Sequence, residues 1–530
     1  MRTLVALLAL SSPCALSLTP HHHQPALRPR VQLRAAVSAS APPAAIPLKL
    51  AVAAAIACQG ALQHGIQTGM LNVPQQAIAS SLNISPTSVA FSAAVSVFCA
   101  GGLAGAQAAG GIATRGGRKA LLGASGIWCL LGGLVQFGSG LLASKSASTA
   151  ALAALIGGRL ISGVGCGMAT VGVPLYLGEA APTEQRGALG SLNQLGICIG
   201  ILVAQVLGAL AQGRVHWRYL LGLPALLGAL QLLTLPLLAE SPKWLATQDG
   251  AVAASLRRLR APGADVDAEA AALRSEVAAS PPPPPSGGAN AASGGQGGGK
   301  GRGGGIWSDR SLRLPLTVAG MMMVGQQWSG INAVFFYSTG FFAAAGLSNP
   351  VLGTLLASGV NAVASALSVP LMERAGRKAL LLTGAGGMLG SGLVLTAALL
   401  LKAGGGVVLG LPLGGALDML SILAVLCFVS FFELGPGPIP WQIGSEIFPE
   451  EPRAAAMGAA AVLNWVLNAA VGLGFPLLQA GLGPLAFAPF CAVLAYWLYF
   501  IRRYVPETQA KPIAEIQAEF AAISAGAMPK

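Results

Sequence analysis

Long apolar runs and short polar breaks alternate along almost the whole chain. Each run holds about 20 residues with almost no charge, enough as an α-helix to cross the roughly 30 Å hydrocarbon core of a bilayer. From Pro47 to Ala239 there are six runs, with breaks near 72–88, 114–120, 144–149, 179–187 and 212–218. From Leu314 to Tyr504 there are six more, with breaks near 348–352, 373–379, 402–413, 446–455 and 481–484. The pattern predicts an all-α membrane protein, its twelve transmembrane helices forming two six-helix bundles at 47–239 and 314–505. Between them, 240–313 reads as a linker. Asp249 to Ala278 has helical, charged composition, and Pro281 to Gly305 is nearly pure Pro, Gly, Ser and Ala, which cannot bury a core. Residues 506–530 form a tail.

Composition agrees. The chain is 54% hydrophobic and 9% charged, where a soluble domain carries about 25% charged residues. The net charge of +13 would suggest nucleic acid in a soluble protein. Here the basic residues sort to one side of the membrane instead. With the first break outside, the outer side receives Lys145, Arg214, Arg218 and Lys402, while the rest, with the linker and both ends of the bundle, falls inside. The eight cysteines are scattered singly, without metal-site spacing.

Two stretches repeat. RGGRKALL (Arg115 to Leu122) returns as RAGRKALL (Arg374 to Leu381), and Glu-x-x-Pro-x-x-x-Arg occurs at Glu179–Arg186 and again at Glu446–Arg453. The same two patterns in the same order mark two copies of one helical unit, an architecture of transporters. Charges at helix ends escape part of the cost of membrane depth. The expectation is a gate, with Glu179 and Glu446 pairing with Arg118, Arg377, Arg186 and Arg453 across the two halves. The alternative is ordinary loop charges that set topology.

Carboxamides are frequent inside the apolar runs: Gln194, Gln326, Gln327, Asn332, Asn361, Asn464 and Asn468. An amide offers donors and acceptors without charge, which suits a neutral, hydroxyl-rich ligand. Asn464 and Asn468 share a helix face beside Trp465. Gln326 and Asn332 would not share one on a regular helix, so Gly330 marks a break. Trp441 follows Gly435-Pro436-Gly437-Pro438-Ile439-Pro440, which no regular helix accommodates and which membrane depth tolerates only beside a cavity. Single buried amides also serve simply to join helices, at about 0.6 kcal/mol each.

At these residues the chain resembles the sugar porter family of the major facilitator superfamily, and within it the facilitative glucose transporters. The matching stretches include LQHGIQTGMLNVP (from Leu62), GRLISGVGCGM (from Gly158), the run from Pro174 to Gln205, ESPKWL (from Glu240), QQWSGINAVFFYST (from Gln326), ERAGRK (from Glu373), FFELGPGPIPWQIGSEIFPEEPRA (from Phe431) and PET (from Pro506). The resemblance implies sugar contacts from Gln194, Gln326, Gln327, Asn332, Asn361, Glu433, Trp441 and Asn464, with Trp465 nearby. It also implies the charge network above, with Glu373 in its ERAGRK stretch, and a hexose carried without a cofactor.

Two positions depart from the pattern. Proton-coupled sugar porters carry an Asp in the first span where this chain has Gln67, so a uniporter is expected; Glu433 remains as a buried acid. Before Gln326 the glucose carriers have Gln-Leu-Ser where this chain has Met323-Val324-Gly325, as in fructose-accepting relatives, while Trp441 and Asn464 point to glucose. A proton-coupled sugar or polyol symporter and a transporter-like sugar sensor are the alternatives. Nothing suggests an enzyme: there is no nucleophile–base pair, metal cluster or phosphate loop. Residues 1–46 lack Asp and Glu. They pair a short apolar run (Leu4 to Leu10) with Arg28, Arg30 and Arg34, a composition that fits a signal plus plastid transit peptide or an untargeted tail. The plastid envelope, or else the plasma membrane, is the expected destination.

Overall fold

The structure is a computed structural model. It describes residues 46–143, 148–182, 185–211, 217–248, 250–279, 309–344, 348–408, 411–448, 450–509, 511 and 513–526. Residues 1–45 of the expected leader and the Pro/Gly-rich stretch of the linker lie outside them.

The first half begins with α1 (Leu48–Gly69) and a short α2 (Gln75–Ser81). The long α3 (Val89–Leu142) is two spans joined at Gly117, whose φ of 85° and ψ of 177° interrupt the helix within the RGGRK repeat. α4 (Ser148–Ala180), α5 (Arg186–Ala211) and α6 (Trp217–Thr234) complete six spans. Three small helices follow outside the bundle, α7 (Pro242–Thr247), α8 (Val252–Arg257) and α9 (Val266–Ala279).

The second half opens with one span in two pieces, α10 (Arg313–Gln327) and α11 (Ile331–Ala344). α12 (Pro350–Arg374) and α13 (Arg377–Ala403) follow, then a minimal hairpin of β1 (Val407–Val408) and β2 (Leu411–Pro412). The next span is again divided, into α14 (Gly414–Leu434) and α15 (Ile439–Glu446), before α16 (Glu450–Leu482), α17 (Ala488–Tyr504) and the tail helix α18 (Ile513–Ser524). Twelve spans result. Among the described residues, eight helices are individually long and apolar enough to cross a bilayer. One of them is the double α3, and α1, α10–α11 and α17 supply the remaining crossings. α1 is less apolar because it carries Gln59, Gln63, His64 and Gln67, while the other two are divided or short.

The polarity is that of a membrane protein. Leu226, Leu233, Val363, Leu367, Met419 and Leu477 are exposed around the bundle, whereas Gln63, Gln67, Gln136, Gln326 and Asn361 are buried within it. Hydrocarbon outside removes the usual driving force between helices, so close backbone approach takes its place. The first half shows it plainly. A Cβ at Gly101 or Gly105 of α3 would fall 2.1 or 2.0 Å from a carbonyl oxygen of α4, and one at Gly163 or Gly167 of α4 would fall 2.2 or 2.0 Å from a carbonyl of α3. Side chains are excluded along that seam, and the two backbones lock together.

Candidate functional site

The two divided spans meet. Gly330 takes a φ of 92°, a left-handed conformation that strongly favours glycine, and it separates α10 from α11 where the sequence leads one to expect a break. The break turns Gln326, Gln327 and Asn332 toward one another and toward α16. Gln326 Nε2 donates to the carbonyls of Pro436 (3.1 Å) and Gly437 (2.6 Å); the helical donor to the first would be residue 440, a proline with no N–H. Asn464 Nδ2 donates to Gln326 Oε1 at 2.7 Å, Gln327 Nε2 to Asn464 Oδ1 at 3.0 Å, and Asn332 Nδ2 to Gln327 Oε1 at 2.5 Å. Four carboxamides thus form one chain across three elements of the second half.

A second cluster bridges the halves. Gln194 Nε2 of α5 lies 3.1 Å from Glu433 Oε1 of α14, and Cys198 Sγ one turn further on approaches the same oxygen at 3.5 Å. Asn361 of α12 faces Cys198, and its Oδ1 is buried without a hydrogen-bond partner. Asn468 Oδ1, one turn after Asn464, is likewise buried and unpaired. Buried unpaired acceptors are uncommon. Both sit beside the polar clusters just described. Trp441 lies half-buried on α15.

Trp465 does not stand with the amides. Although adjacent to Asn464, it points 100° around the helix toward the first half. There it stacks on His64 (centroids 5.4 Å apart, planes at 23°) and meets Phe98 edge-on at 5.7 Å. Its ring lies against Gly102, where a Cβ would come within 2.6 Å. It serves as a contact between halves.

The expected charge network is reorganised. Arg118 Nη2 pairs with Glu179 Oε1 at 2.6 Å, and Arg377 Nη2 with Glu446 Oε1 at 3.4 Å, so each described pair lies within one half rather than across the two. Each is completed locally. Arg118 Nη1 donates to Ala113 O and Arg377 Nη1 to Met372 O. Glu240 accepts from the backbone amides of Arg118 and Lys119, and Glu507 from those of Arg377 and Lys378. The second carboxylate oxygens of Glu179 and Glu446 accept from Ser241 Oγ and Thr508 Oγ1, both at 2.5 Å. A motif present in full in each half is satisfied within that half. Arg453 donates to Phe448 O. The side chains of Arg186 and Glu373 lie outside the described residues.

Besides the Gln194–Glu433 cluster, the bonds between the halves among the described residues lie at the end opposite these charges. Asn72, between α1 and α2, donates through Nδ2 to Phe335 O and Ser338 Oγ of α11, both at 2.9 Å, and accepts from the Thr339 amide at 3.1 Å. Gln205 of α5 accepts from Ser358 Oγ of α12. Sequence reasoning missed Asn72, Ser358, Glu240 and Glu507. Glu240 and Glu507 lie in the quoted ESPKWL and PET stretches, which signal them only as letters.

Comparison with known proteins decides the family. The model for "Sugar (and other) transporter" matches residues 52–520. The chain belongs to the sugar transporter family. Among curated members of this family, the mouse solute carrier family 2, facilitated glucose transporter member 4, is 37% identical over 473 residues, covering 85% of this chain and 87% of its own. The rat facilitated glucose transporter member 3 is 35% identical over 471 residues, covering 86% and 89%. Among solved structures, the inward-open xylose transporter XylE from E. coli superposes with a TM-score of 0.70 at 21% identity, over 88% of this chain and 98% of its own. The same protein as a proton:xylose symporter bound to 6-bromo-6-deoxy-D-glucose gives 0.68 at 22% identity, over 88% and 98%. The fold is that of the major facilitator superfamily, and the chain is a multi-pass membrane protein.

Proposed function

We propose that this member of the family carries a neutral hexose, glucose first and fructose second, as a facilitative uniporter working by alternating access. The linked amides Gln326, Asn464, Gln327 and Asn332 carry the reading, with Gln194 and Glu433 bonded to each other across the halves. Their donors and acceptors trade partners readily, so a sugar's hydroxyls can replace amide–amide bonds one for one. Trp441 offers an apolar ring face to the sugar's C–H face. Five or six bonds of about 1 kcal/mol each, less ordering costs, leave roughly −4 kcal/mol, a millimolar affinity. Weak binding suits a site that must also release.

The basic end faces the cytosol or its equivalent, as Lys and Arg placement favours. The conformation described is the one closed at the opposite end by Asn72 and Ser358. Uniport is supported by Gln67, a neutral partner for buried Arg159, and by the curated relatives' names as facilitated glucose transporters. Labelled-glucose counterflow in liposomes tests carriage; an uncoupler that abolishes uptake would overturn uniport. Proton–sugar symport is the second reading, favoured by buried Glu433. The plastid envelope is the favoured destination, and imaging a fluorophore fused behind the leader decides against the plasma membrane.

A further inference from the structure

The two bonded contacts at the end opposite the basic charges belong to different pairs of helices, Asn72 against α11 and Gln205 against α12. They meet at one residue, Thr354, through its hydroxyl on one side and its backbone carbonyl on the other. Thr354 Oγ1 lies 2.9 Å from Ser338 Oγ, 2.9 Å from Thr339 Oγ1 and 3.1 Å from Pro350 O. Ser338 is the residue that Asn72 grips. Thr354 O in turn lies 3.1 Å from Ser358 Oγ, the hydroxyl that donates to Gln205 Oε1. Asn72, Thr354 and Ser358 have no exposed surface, and Gln205 is 1% exposed.

One assignment of the hydroxyl protons, with Ser338 and Thr339 donating to Thr354, satisfies the whole network. A hydroxyl donates once and accepts twice. Thr354 donates to Pro350 O, its helical carbonyl, and accepts from Ser338 and Thr339. Ser338 accepts from Asn72 and donates to Thr354. Ser358 holds one proton and two acceptors within reach, Gln205 Oε1 and Thr354 O. While the halves are closed it donates to Gln205; when they part, the same proton returns to Thr354 O, and no serine donor is stranded.

We propose that Thr354 is a positioning residue that joins the Asn72 and Gln205 contacts into one latch, so that they close and open together. It touches no sugar. Its two hydroxyl bonds fix α11 against α12, and Ser358 stands one helical turn from it on the same face of α12. A displacement of α11 away from Asn72 therefore drags Ser358 from Gln205, and water that enters at one contact reaches the other through the same buried hydroxyls. The inference rests on the alternating-access reading but not on the identity of the cargo.

Hydrogen exchange read by mass spectrometry tests it, on the full chain in lipid nanodiscs without sugar. Ser358→Ala removes the Gln205 bond and the contact with Thr354 O, and touches nothing at Asn72. It should nevertheless speed amide exchange in 331–344, around the Asn72 contact, about fivefold, the factor set by one net hydrogen bond. Asn72→Ala should do the same reciprocally in 199–211. Thr354→Val should release both segments, and Thr354→Ser should restore the wild-type rates. Faster exchange confined to each variant's own contact would overturn the latch. Should Thr354→Val fail to fold, with exchange also raised in 377–403, the Ser358 and Asn72 variants decide alone. Coupled exchange in a chain that shows no glucose counterflow would leave the latch standing and remove the hexose reading.

Discussion

Arg159 Nη1 donates to Gln67 Oε1 at 2.8 Å, so a fully buried cation is held by a neutral amide. The rest of its fork is filled by backbone, with Gln67 O at 2.5 Å, Val95 O at 2.8 Å and Ala94 O at 3.1 Å, and the guanidinium lies over the Phe98 ring at 5.0 Å. The charge is thereby solvated by carbonyl dipoles belonging to α1 and α3. Arg159→Lys keeps the charge but not the planar fork. Uptake should fall at least about tenfold, since two or more charge-assisted bonds at about 1.5–3 kcal/mol each are lost. Uptake normalised to folded protein on size exclusion checks this.

Gln326→Ala removes the one side chain that bonds the Pro436 and Gly437 carbonyls and the Asn464 amide together. Stranding such groups costs about 1–3 kcal/mol, so glucose affinity should fall about 10- to 100-fold by equilibrium binding. Asn464→Ala should act in the same range, and the double variant should cost clearly less than the sum, because both break one network.

Glu433→Gln preserves shape and one acceptor oxygen toward Gln194 and Cys198 while removing charge. In a uniporter it should keep glucose counterflow within about fivefold, since one neutral hydrogen bond is worth about 1 kcal/mol, and leave uptake unresponsive to an imposed proton gradient. Glu433→Ala, which strands Gln194, should lose more. Loss of gradient-driven accumulation on Glu433→Gln would instead mark a symporter.

At the basic end the pairing is local, and mutant cycles should report it. Arg118→Ala with Glu179→Ala should show a coupling of about 1 kcal/mol or more in unfolding. Glu179→Ala with Arg377→Ala, in different halves, should be additive within about 0.3–0.5 kcal/mol.

Gly102→Val would drive a side chain into the Trp465 ring and push the halves apart at their aromatic contact. Counterflow should drop at least about fivefold, given the roughly 1–3 kcal/mol of overpacking. Trp465→Ala in the same chain should recover part of it, an outcome general misfolding would not give.

The helices, the duplicated halves and both broken spans were legible in the residues, because apolar length, a repeated RKALL stretch and Pro or Gly at membrane depth each have few physical solutions. The amide set was legible as chemistry, and the structure draws Gln326, Gln327, Asn332 and Asn464 together. Partner choice was not. Nothing in the spacing of Glu179 and Arg118 tells whether the acid reaches the base of its own half or of the other, since sequence records the repeat and not the distance between copies. Trp465 shows a similar gap: one step along a helix turns a side chain 100°, which separates it from Asn464 and sets it against His64. Asn72 was hidden because a lone amide at a helix end carries no period.

The glycine seam between α3 and α4 has a mechanical consequence. Backbones pressed together without intervening side chains have no rotamers to absorb strain, so that part of the molecule behaves as a stiff block. A structure of the chain caught in the opposite state should superpose on this one across α3 and α4 to within about 1 Å, leaving the whole displacement to hinges elsewhere. Enlarging a seam glycine should therefore jam assembly of the block itself rather than slow its swing.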